Sequence, residues 1–137
     1  MTTRRTILRL APVAALAALA ACSSGQPAGS PRNGASLSVD AFATAMSSPG
    51  TTIIDVRTPA EFSSGHLAGA RNLDVEASDF EQRVTTLDKA ASYAVYCHSG
   101  RRSGVAVETM RRLGFTSVYD LAGGVGAWTA AGRPLVH

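Results

Sequence analysis

A cysteine stands where an apolar strand gives way to a helix. The run Tyr93-Ala94-Val95-Tyr96 is apolar and aromatic, which is typical of a buried strand. Cys97 comes next, followed by seven small or basic residues and then by apolar residues at helical spacing that end at Gly114. A strand, a short loop and a helix in this order indicate one unit of a parallel sheet, because parallel neighbours need a crossover connection.

The rest of the chain repeats this alternation. Strands are predicted at residues 51–56, 70–73, 93–96 and 116–121, with a short strand or entry at residues 37–39. Helices are predicted at residues 40–46, 59–62, 78–87, 104–113 and 125–131. The alternation predicts an α/β fold, a doubly wound parallel sheet with helices on both faces. Ligands of such folds bind beyond the carboxyl ends of the strands, and Cys97 follows one of those ends.

The loop after Cys97 has the composition of a thiolate site. A helix N-terminus presents free amides and about half a positive charge, which favours an anion. Arg101 and Arg102 add two full positive charges. Such an environment lowers the pKa of a thiol and activates it as a nucleophile. A lone cysteine is more often a small buried apolar residue. Here the glycine, the arginine pair and the strand–helix junction favour catalysis instead.

Three segments resemble, in the right order, the signatures of rhodanese-type sulfurtransferases. Residues 97–103 match Cys-x-x-Gly-x-Arg followed by Ser. Residues 53–62, Ile-Ile-Asp-Val-Arg-Thr-Pro-Ala-Glu-Phe, and residues 65–70, Gly-His-Leu-Ala-Gly-Ala, resemble the N-terminal signature. Residues 121–128, Leu-Ala-Gly-Gly-Val-Gly-Ala-Trp, resemble the C-terminal one. The resemblance spans residues 36–136 and implies a small rhodanese-like domain with a central parallel sheet of about five strands flanked by helices.

The resemblance also implies the reaction. A sulfane sulfur would move from thiosulfate or a persulfide donor to Cys97, and from the Cys97 persulfide to a thiol or cyanide acceptor. We expect backbone N–H groups to surround the sulfur, with a positive φ at Gly100 that lets the loop curl. Arg102, the arginine of the matched motif, is assigned donor binding and thiolate stabilisation. The expected anion-binding loop comprises His98, Ser99, Gly100, Arg101, Arg102 and Ser103.

Two residues of this loop have two interpretations each. Arg101 either contacts the donor or faces solvent as a charge at the helix start. His98 stands where Arg often follows the Cys in the family. Because a histidine is mostly neutral at pH 7, either anionic donor binding weakens as pH rises, or His98 simply points to water.

The first signature contributes residues that we interpret as supporting. Asp55, Arg57, Glu61 and His66 suggest a Cys–His–Asp triad or a metal site, yet no two His or Cys have the spacing of zinc ligands. We therefore predict no metal and no cofactor. Asp55 and Arg57 are expected to pair at a strand end and fix the loops, and Trp128 is expected to anchor the core.

The first 35 residues have the features of an exported lipoprotein. Arg4, Arg5 and Arg9 precede a twelve-residue apolar run at residues 10–21, too short for the roughly twenty residues of a membrane-spanning helix. We predict a signal peptide at 1–21, with a buried helix as the alternative. Its Thr-Arg-Arg-Thr-Ile-Leu-Arg sequence resembles a twin-arginine signal, with a general secretory signal as the alternative. Leu-Ala-Ala-Cys at 19–22 resembles a bacterial lipobox, with ordinary cleavage as the alternative. Cys22 is thus the predicted lipidation site, followed by a Ser/Gly/Pro tether at 22–35 and the domain at 36–137.

Charge and cysteine content agree with this interpretation. The chain has 13 Lys plus Arg and 10 Asp plus Glu, and three of the Arg lie in the signal peptide, which leaves ten against ten. The high pI is therefore a targeting feature, and no nucleic-acid partner is predicted. If Cys22 carries lipid, Cys97 has no partner for an internal disulfide. The expected location is the bacterial cell envelope, on the periplasmic or extracellular face of the membrane.

Three other functions fit parts of the pattern. A phosphatase or arsenate reductase needs Cys-x5-Arg, whereas Arg102 follows Cys97 after four residues. A non-catalytic docking or sulfide-sensing module usually lacks the cysteine. A sulfur carrier that passes sulfur to a partner protein would share the Cys97 persulfide and differ only in its acceptor.

Overall fold

The structure, a computed structural model, describes residues 29–137. The predicted signal peptide, Cys22 and the start of the tether lie outside the described residues. Within residues 29–137, no helix is long and apolar enough to cross a membrane. Strands and helices alternate along the described chain. They are β1 (Ser36–Leu37), α1 (Val39–Met46), β2 (Thr51–Asp55), α2 (Pro59–Ser63), β3 (Arg71–Asn72), α3 (Phe80–Thr85), β4 (Ser92–Tyr96), α4 (Arg101–Arg112), β5 (Ser117–Leu121) and α5 (Gly124–Ala130).

The five strands form one parallel sheet in the order β1-β5-β4-β2-β3. The central strand β4 is paired with β2 on one side and with β5 on the other. In register, Tyr96 of β4 lies beside Asp55 of β2, so the carboxyl ends of these strands meet at one edge. The predicted α/β fold with a five-stranded parallel sheet is confirmed, and Cys97 follows the central strand.

Two apolar layers cover the two faces of the sheet. One face packs against α3 and α4, whose inward residues include Phe80, Val84 and Met110. The other packs against α1 and α5 through Phe42 and Trp128, whose rings meet edge to face. At about 25 cal/mol per Å² of buried apolar surface, these two layers are the main stabilising contribution to the fold. Helices on both faces make the sheet doubly wound, as the alternation predicts.

Helix α4 begins three residues earlier than the sequence predicts. Gly100 has φ +100°, a left-handed conformation that ends the loop, and the helix starts at Arg101. Arg101, Arg102 and Ser103, expected in the loop, therefore lie in the first helical turn. The apolar periodicity starts only with Val105 and does not mark this boundary, because the first turn is polar.

Residues 33 and 34, at the end of the predicted tether, contact the sheet. The Gly34 N–H donates to the Val118 carbonyl at 2.7 Å, and the Asn33 side chain bonds to the backbone of Val118 and Phe115. These bonds attach the end of the predicted tether to β5. A Ser/Gly/Pro/Asn composition is typical of a linker, but asparagine can also satisfy backbone groups at a strand end.

Candidate active site

The sulfur of Cys97 lies inside the loop that joins β4 to α4. Cys97 is fully buried, and it is the free cysteine among residues 29–137. The Gly100 N–H donates to Sγ at 3.0 Å, and Sγ lies 3.5 Å from the Ser103 hydroxyl. Because the sulfur has no exposed surface, a donor reaches it only after part of the loop or a bordering side chain moves.

The environment of Cys97 favours its thiolate. Burial removes water from the charged form and by itself raises the pKa of Cys97. Hydrogen bonds from the Ser103 hydroxyl and from the backbone N–H groups of Ser103, Gly100 and Ser99 act in the opposite direction. Together these bonds outweigh burial, and the pKa of Cys97 is lowered. The loop thus stabilises an anion at Cys97 with amides and one hydroxyl.

The glycine pair after β5 supports the back of this loop. The N–H groups of Val125 and Gly126, in the first turn of α5, donate to the carbonyls of Cys97 and His98 at 2.9 and 3.1 Å. A Cβ at Gly124 would overlap the Cys97 carbonyl oxygen and lie 2.5 Å from the His98 carbonyl. The carbonyls of Cys97 and His98 thus point towards α5 and are satisfied there, and the N–H groups of the loop can point towards the sulfur. The sequence analysis did not predict this contact, although the Gly-Gly pair of the C-terminal signature is a local signal for it.

Arg102 is held by carboxylates. Its two terminal nitrogens donate to the two oxygens of Glu61 at 2.8 Å each, and a third contact reaches Glu76 at 3.4 Å. Glu61 also forms the capping box of α2 with Thr58. The hydrogen bond from Arg102 and those from Thr58 outweigh partial burial and lower the pKa of Glu61 to about 2. Hydrogen bonding to Glu61 raises the pKa of Arg102, and the nearby Cys97 charge adds to this effect.

Asp55 and Arg57 pair at the end of β2. Their side chains are almost fully buried, and Arg57 Nη2 lies 2.6 Å from Asp55 Oδ2. Arg57 also donates to the Gly65 carbonyl at 2.7 Å, which ties the loop after α2 to the strand. Burial opposes the charged guanidinium, but the hydrogen bond and charge of Asp55 prevail and raise the pKa of Arg57. The pair fixes two loops on the side of β4 opposite β5.

His66 is not brought to the sulfur as a base. Its Nδ1 lies 3.0 Å from the Phe62 carbonyl oxygen. Its ring stacks on the Phe62 ring, with 3.8 Å between the ring centroids. Its backbone pairs with Val136 near the end of the chain. Within residues 29–137, no cluster of His, Cys, Asp or Glu has the arrangement of a metal site. His66 therefore has contacts that stabilise the local fold.

The exposed part of the loop borders an open cleft of about 440 Å³. Ser99, Arg101 and Arg102 lie on one side of it, and His98 is exposed beside them. Val105 is exposed at the cleft although it is apolar. The complete lining is Val75, Glu76, Ser99, Arg101, Arg102 and Val105. The cleft offers a donor or acceptor both charged and apolar contacts next to the Cys97 loop.

Sequence reasoning missed Val75, Glu76 and Val105 of the cleft lining, and it missed Asp120 behind the loop. Asp120, next to the last residue of β5, accepts a hydrogen bond of 2.8 Å from Ser103 and is buried. The residue stands in a strand pattern, where an acidic residue usually marks an exposed position. No local signal indicates its contact with the loop, because Ser103 is 17 positions away in the chain.

Comparison with known proteins agrees with this geometry. The family model described as "Rhodanese-like domain" matches residues 38–131. "Uncharacterized protein YqhL" of Bacillus subtilis is 41% identical over 76 residues, which cover 56% of this chain and 59% of that protein. "Thiosulfate sulfurtransferase 16, chloroplastic" of Arabidopsis thaliana is 38% identical, over 62% of this chain and 79% of its own length. A crystal structure of a rhodanese-related protein from Thermoplasma volcanium superposes with a TM-score of 0.66 at 30% identity, over 74% of this chain and 97% of the other.

Proposed function

The chain belongs to the rhodanese-like family, and from this we propose that it is a sulfurtransferase that carries sulfur on Cys97. The donor is thiosulfate or a persulfide, and the acceptor is a thiol or cyanide. One observation carries the proposal: the Cys97 sulfur is surrounded by N–H donors that stabilise an anion, with Gly100 N–H at 3.0 Å. A persulfide needs the same stabilisation, since its terminal sulfur is also anionic.

The reaction has two balanced halves. The Cys97 thiolate attacks the sulfane sulfur, a new S–S bond forms at Cys97, and the donor's bond to that sulfur breaks. Its electron pair leaves with the donor as sulfite or a thiolate. The acceptor then attacks the terminal sulfur, and the electron pair of the Cys97 S–S bond returns to Cys97. No oxidant or reductant is consumed, and each half is a nucleophilic displacement.

The test is formation of thiocyanate from donor and cyanide by the full chain. We expect activity in the wild type and in Cys22→Ser, and none in Cys97→Ser. Donor and cyanide varied together should give parallel double-reciprocal lines, the pattern of a ping-pong reaction. Activity that survives in Cys97→Ser would contradict the proposal.

The size of the cleft leaves room for an organic donor or a protein thiol. A volume of about 440 Å³ exceeds the space that a small inorganic anion fills, and Glu61 and Glu76 offset the charge of Arg102. These features support an envelope sulfur carrier that passes sulfur to a partner protein as the second candidate. Activity with an organic persulfide but not with thiosulfate would favour that candidate. Inactivity with every donor would favour a docking or sulfide-sensing module.

We further propose that the protein is exported and anchored by lipid at Cys22 in the bacterial cell envelope. The arginines at positions 4, 5 and 9, the apolar run and the Leu-Ala-Ala-Cys sequence support this. Labelling with a fatty acid in a bacterial host should mark the wild type and Cys97→Ala but not Cys22→Ala. Equal labelling of all three, or of none, would contradict lipidation at Cys22.

A further inference from the structure

The two arginines at the start of α4 differ in what holds them. Both line the cleft beside the Cys97 loop. Arg102 is paired with Glu61 at 2.8 Å and with Glu76 at 3.4 Å. Among residues 29–137, no Asp or Glu lies within salt-bridge distance of Arg101, whose side chain is exposed. The guanidinium available to an anionic ligand in this cleft is therefore that of Arg101.

An apolar side chain lies one helical turn further along α4. Val105 is four positions after Arg101, so the two side chains are neighbours on one face of the helix. Val105 is 58% exposed, and Val75 also lines the cleft. A single exposed valine is common on protein surfaces. Here, however, the valine and the arginine line the same cleft, so one ligand can contact both.

The cleft is connected to the sulfur through Ser99 and Arg102. Ser99 lines the cleft, and its backbone N–H is one of the donors that stabilise the Cys97 thiolate. Arg102 also lines the cleft, and it is close enough to Cys97 for the charge of the sulfur to act on it. A ligand whose sulfur enters the loop would therefore leave its carbon skeleton in the cleft.

The charge balance of the cleft favours a single carboxylate over a small dianion. Arg101 and Arg102 are two positive charges, and Glu61 and Glu76 are two negative ones, so these four side chains sum to zero. A thiosulfate dianion that approaches the thiolate meets no net positive charge from them. A single carboxylate needs one local partner, which Arg101 supplies. An attached alkyl chain gains from contact with the two valines.

We propose that the cleft binds a small organic thiol or persulfide that carries a carboxylate, with the carboxylate on Arg101 and the alkyl chain against Val105. The inference rests on the proposed sulfur transfer at Cys97 and names the class of its organic partner. As acceptor, the thiolate of this partner attacks the terminal sulfur of the Cys97 persulfide. The S–S bond at Cys97 breaks, its electron pair returns to Cys97, and the partner leaves as a persulfide. As donor, the partner takes the same step in reverse.

Three thiols with two methylene groups each test the carboxylate contact. The full chain with Cys22→Ser is loaded with sulfur from thiosulfate or an organic persulfide, freed of donor, and mixed with 3-mercaptopropionate, 2-mercaptoethanol or cysteamine. Mass spectrometry follows the loss of sulfur from Cys97. In Arg101→Gln, the rate constant for 3-mercaptopropionate relative to 2-mercaptoethanol should fall by about two- to fivefold, the range of an exposed ion pair. The ratio for cationic cysteamine should rise. Because all three thiols attack the same persulfide, these ratios cancel any effect of the substitution on Cys97.

Matched variants separate a local contact from a change in overall charge. Arg83 is exposed on α3 outside the cleft lining, so Arg83→Gln removes the same charge and should keep the wild-type ratios. Arg101→Lys keeps the charge and should retain most of the preference. An unchanged ratio in Arg101→Gln, or an equal change in Arg83→Gln, would overturn the carboxylate site.

Val105→Thr tests the apolar contact, because threonine has nearly the same shape as valine. It should slow 3-mercaptopropionate relative to cyanide, which has no alkyl chain, by about twofold. An unchanged ratio would overturn the contact of the alkyl chain with Val105.

Alkylation of Cys97 separates this inference from sulfur transfer. Iodoacetate carries a carboxylate where iodoacetamide carries a neutral amide, and each transfers its two-carbon group to the thiolate with loss of iodide. In the unloaded Cys22→Ser protein, Arg101→Gln should lower the iodoacetate rate relative to the iodoacetamide rate by a similar factor, and Arg83→Gln should not. A protein with this dependence on Arg101 that accepts no sulfur would retain the site and lose the sulfurtransferase function. Sulfur transfer without this dependence in either measurement would do the reverse.

Discussion

Gly124 offers a sharp test of how the fold shapes the active-site loop. Its φ is +56°, a left-handed conformation that costs an alanine about 1 kcal/mol or more. An added Cβ would overlap the Cys97 carbonyl oxygen and lie 2.5 Å from the His98 carbonyl. Overpacking against backbone adds about 1–3 kcal/mol. Gly124→Ala should therefore lower the free energy of unfolding by about 2–4 kcal/mol.

Gly132→Ala is the matched control. Gly132 follows α5, has φ +75°, and an added Cβ there would meet nothing within 4 Å. Gly132→Ala should lower the free energy of unfolding only by the cost of the left-handed conformation, about 1 kcal/mol. Denaturant unfolding compares the two variants, and thiocyanate formation reports the loop. The Gly124→Ala variant should also lose most of the sulfurtransferase activity, because the added Cβ breaks the hydrogen bonds between α5 and the carbonyls of residues 97 and 98. Equal stability losses in the two variants would refute the steric argument.

The two ion pairs of the site give contrasting predictions. Glu61 has its pKa lowered from 4.5 to about 2, so its pair with Arg102 stabilises the fold above about pH 4.5, and this contribution is lost as pH falls towards 2. Glu61→Gln should thus have a lower melting temperature than wild type at neutral pH and the same one in acid; a difference that persists in acid would contradict this. The Asp55–Arg57 pair is buried, so Asp55→Ala leaves an uncompensated charge and should cost about 3–5 kcal/mol in denaturant unfolding. Adding Arg57→Met should recover part of that loss, and no recovery would contradict the charge argument.

The features that sequence predicts well are those with a local signal. The strand before Cys97 is apolar and aromatic, and the position of Cys97 after the carboxyl end of a strand follows from the alternation. Gly100 was expected to have a positive φ, and it does, because the loop has to turn within three residues. The pairing of Asp55 with Arg57 is also present, since the two stand at one strand end.

The features that sequence misses depend on contacts between distant positions. Glu61 and Arg102 are 41 positions apart, and the guanidinium of Arg102, to which the sequence assigns donor binding, is held by two hydrogen bonds to Glu61. Asp120 reaches Ser103 only because β5 lies beside β4 in the sheet, an order that periodicity does not give. The direction in which a buried polar side chain points is decided by packing, and no pattern along the chain records it.

Intact-protein mass spectrometry tests the central claim most directly. The full chain with Cys22→Ser is incubated with thiosulfate or an organic persulfide, freed of donor, weighed, and then treated with cyanide. We expect the mass to increase by one sulfur atom, the addition to be absent in a Cys22→Ser, Cys97→Ser control, and cyanide to remove it with release of thiocyanate. A protein that gains no sulfur from either donor, or gains it without Cys97, would contradict the claim that Cys97 carries the sulfur.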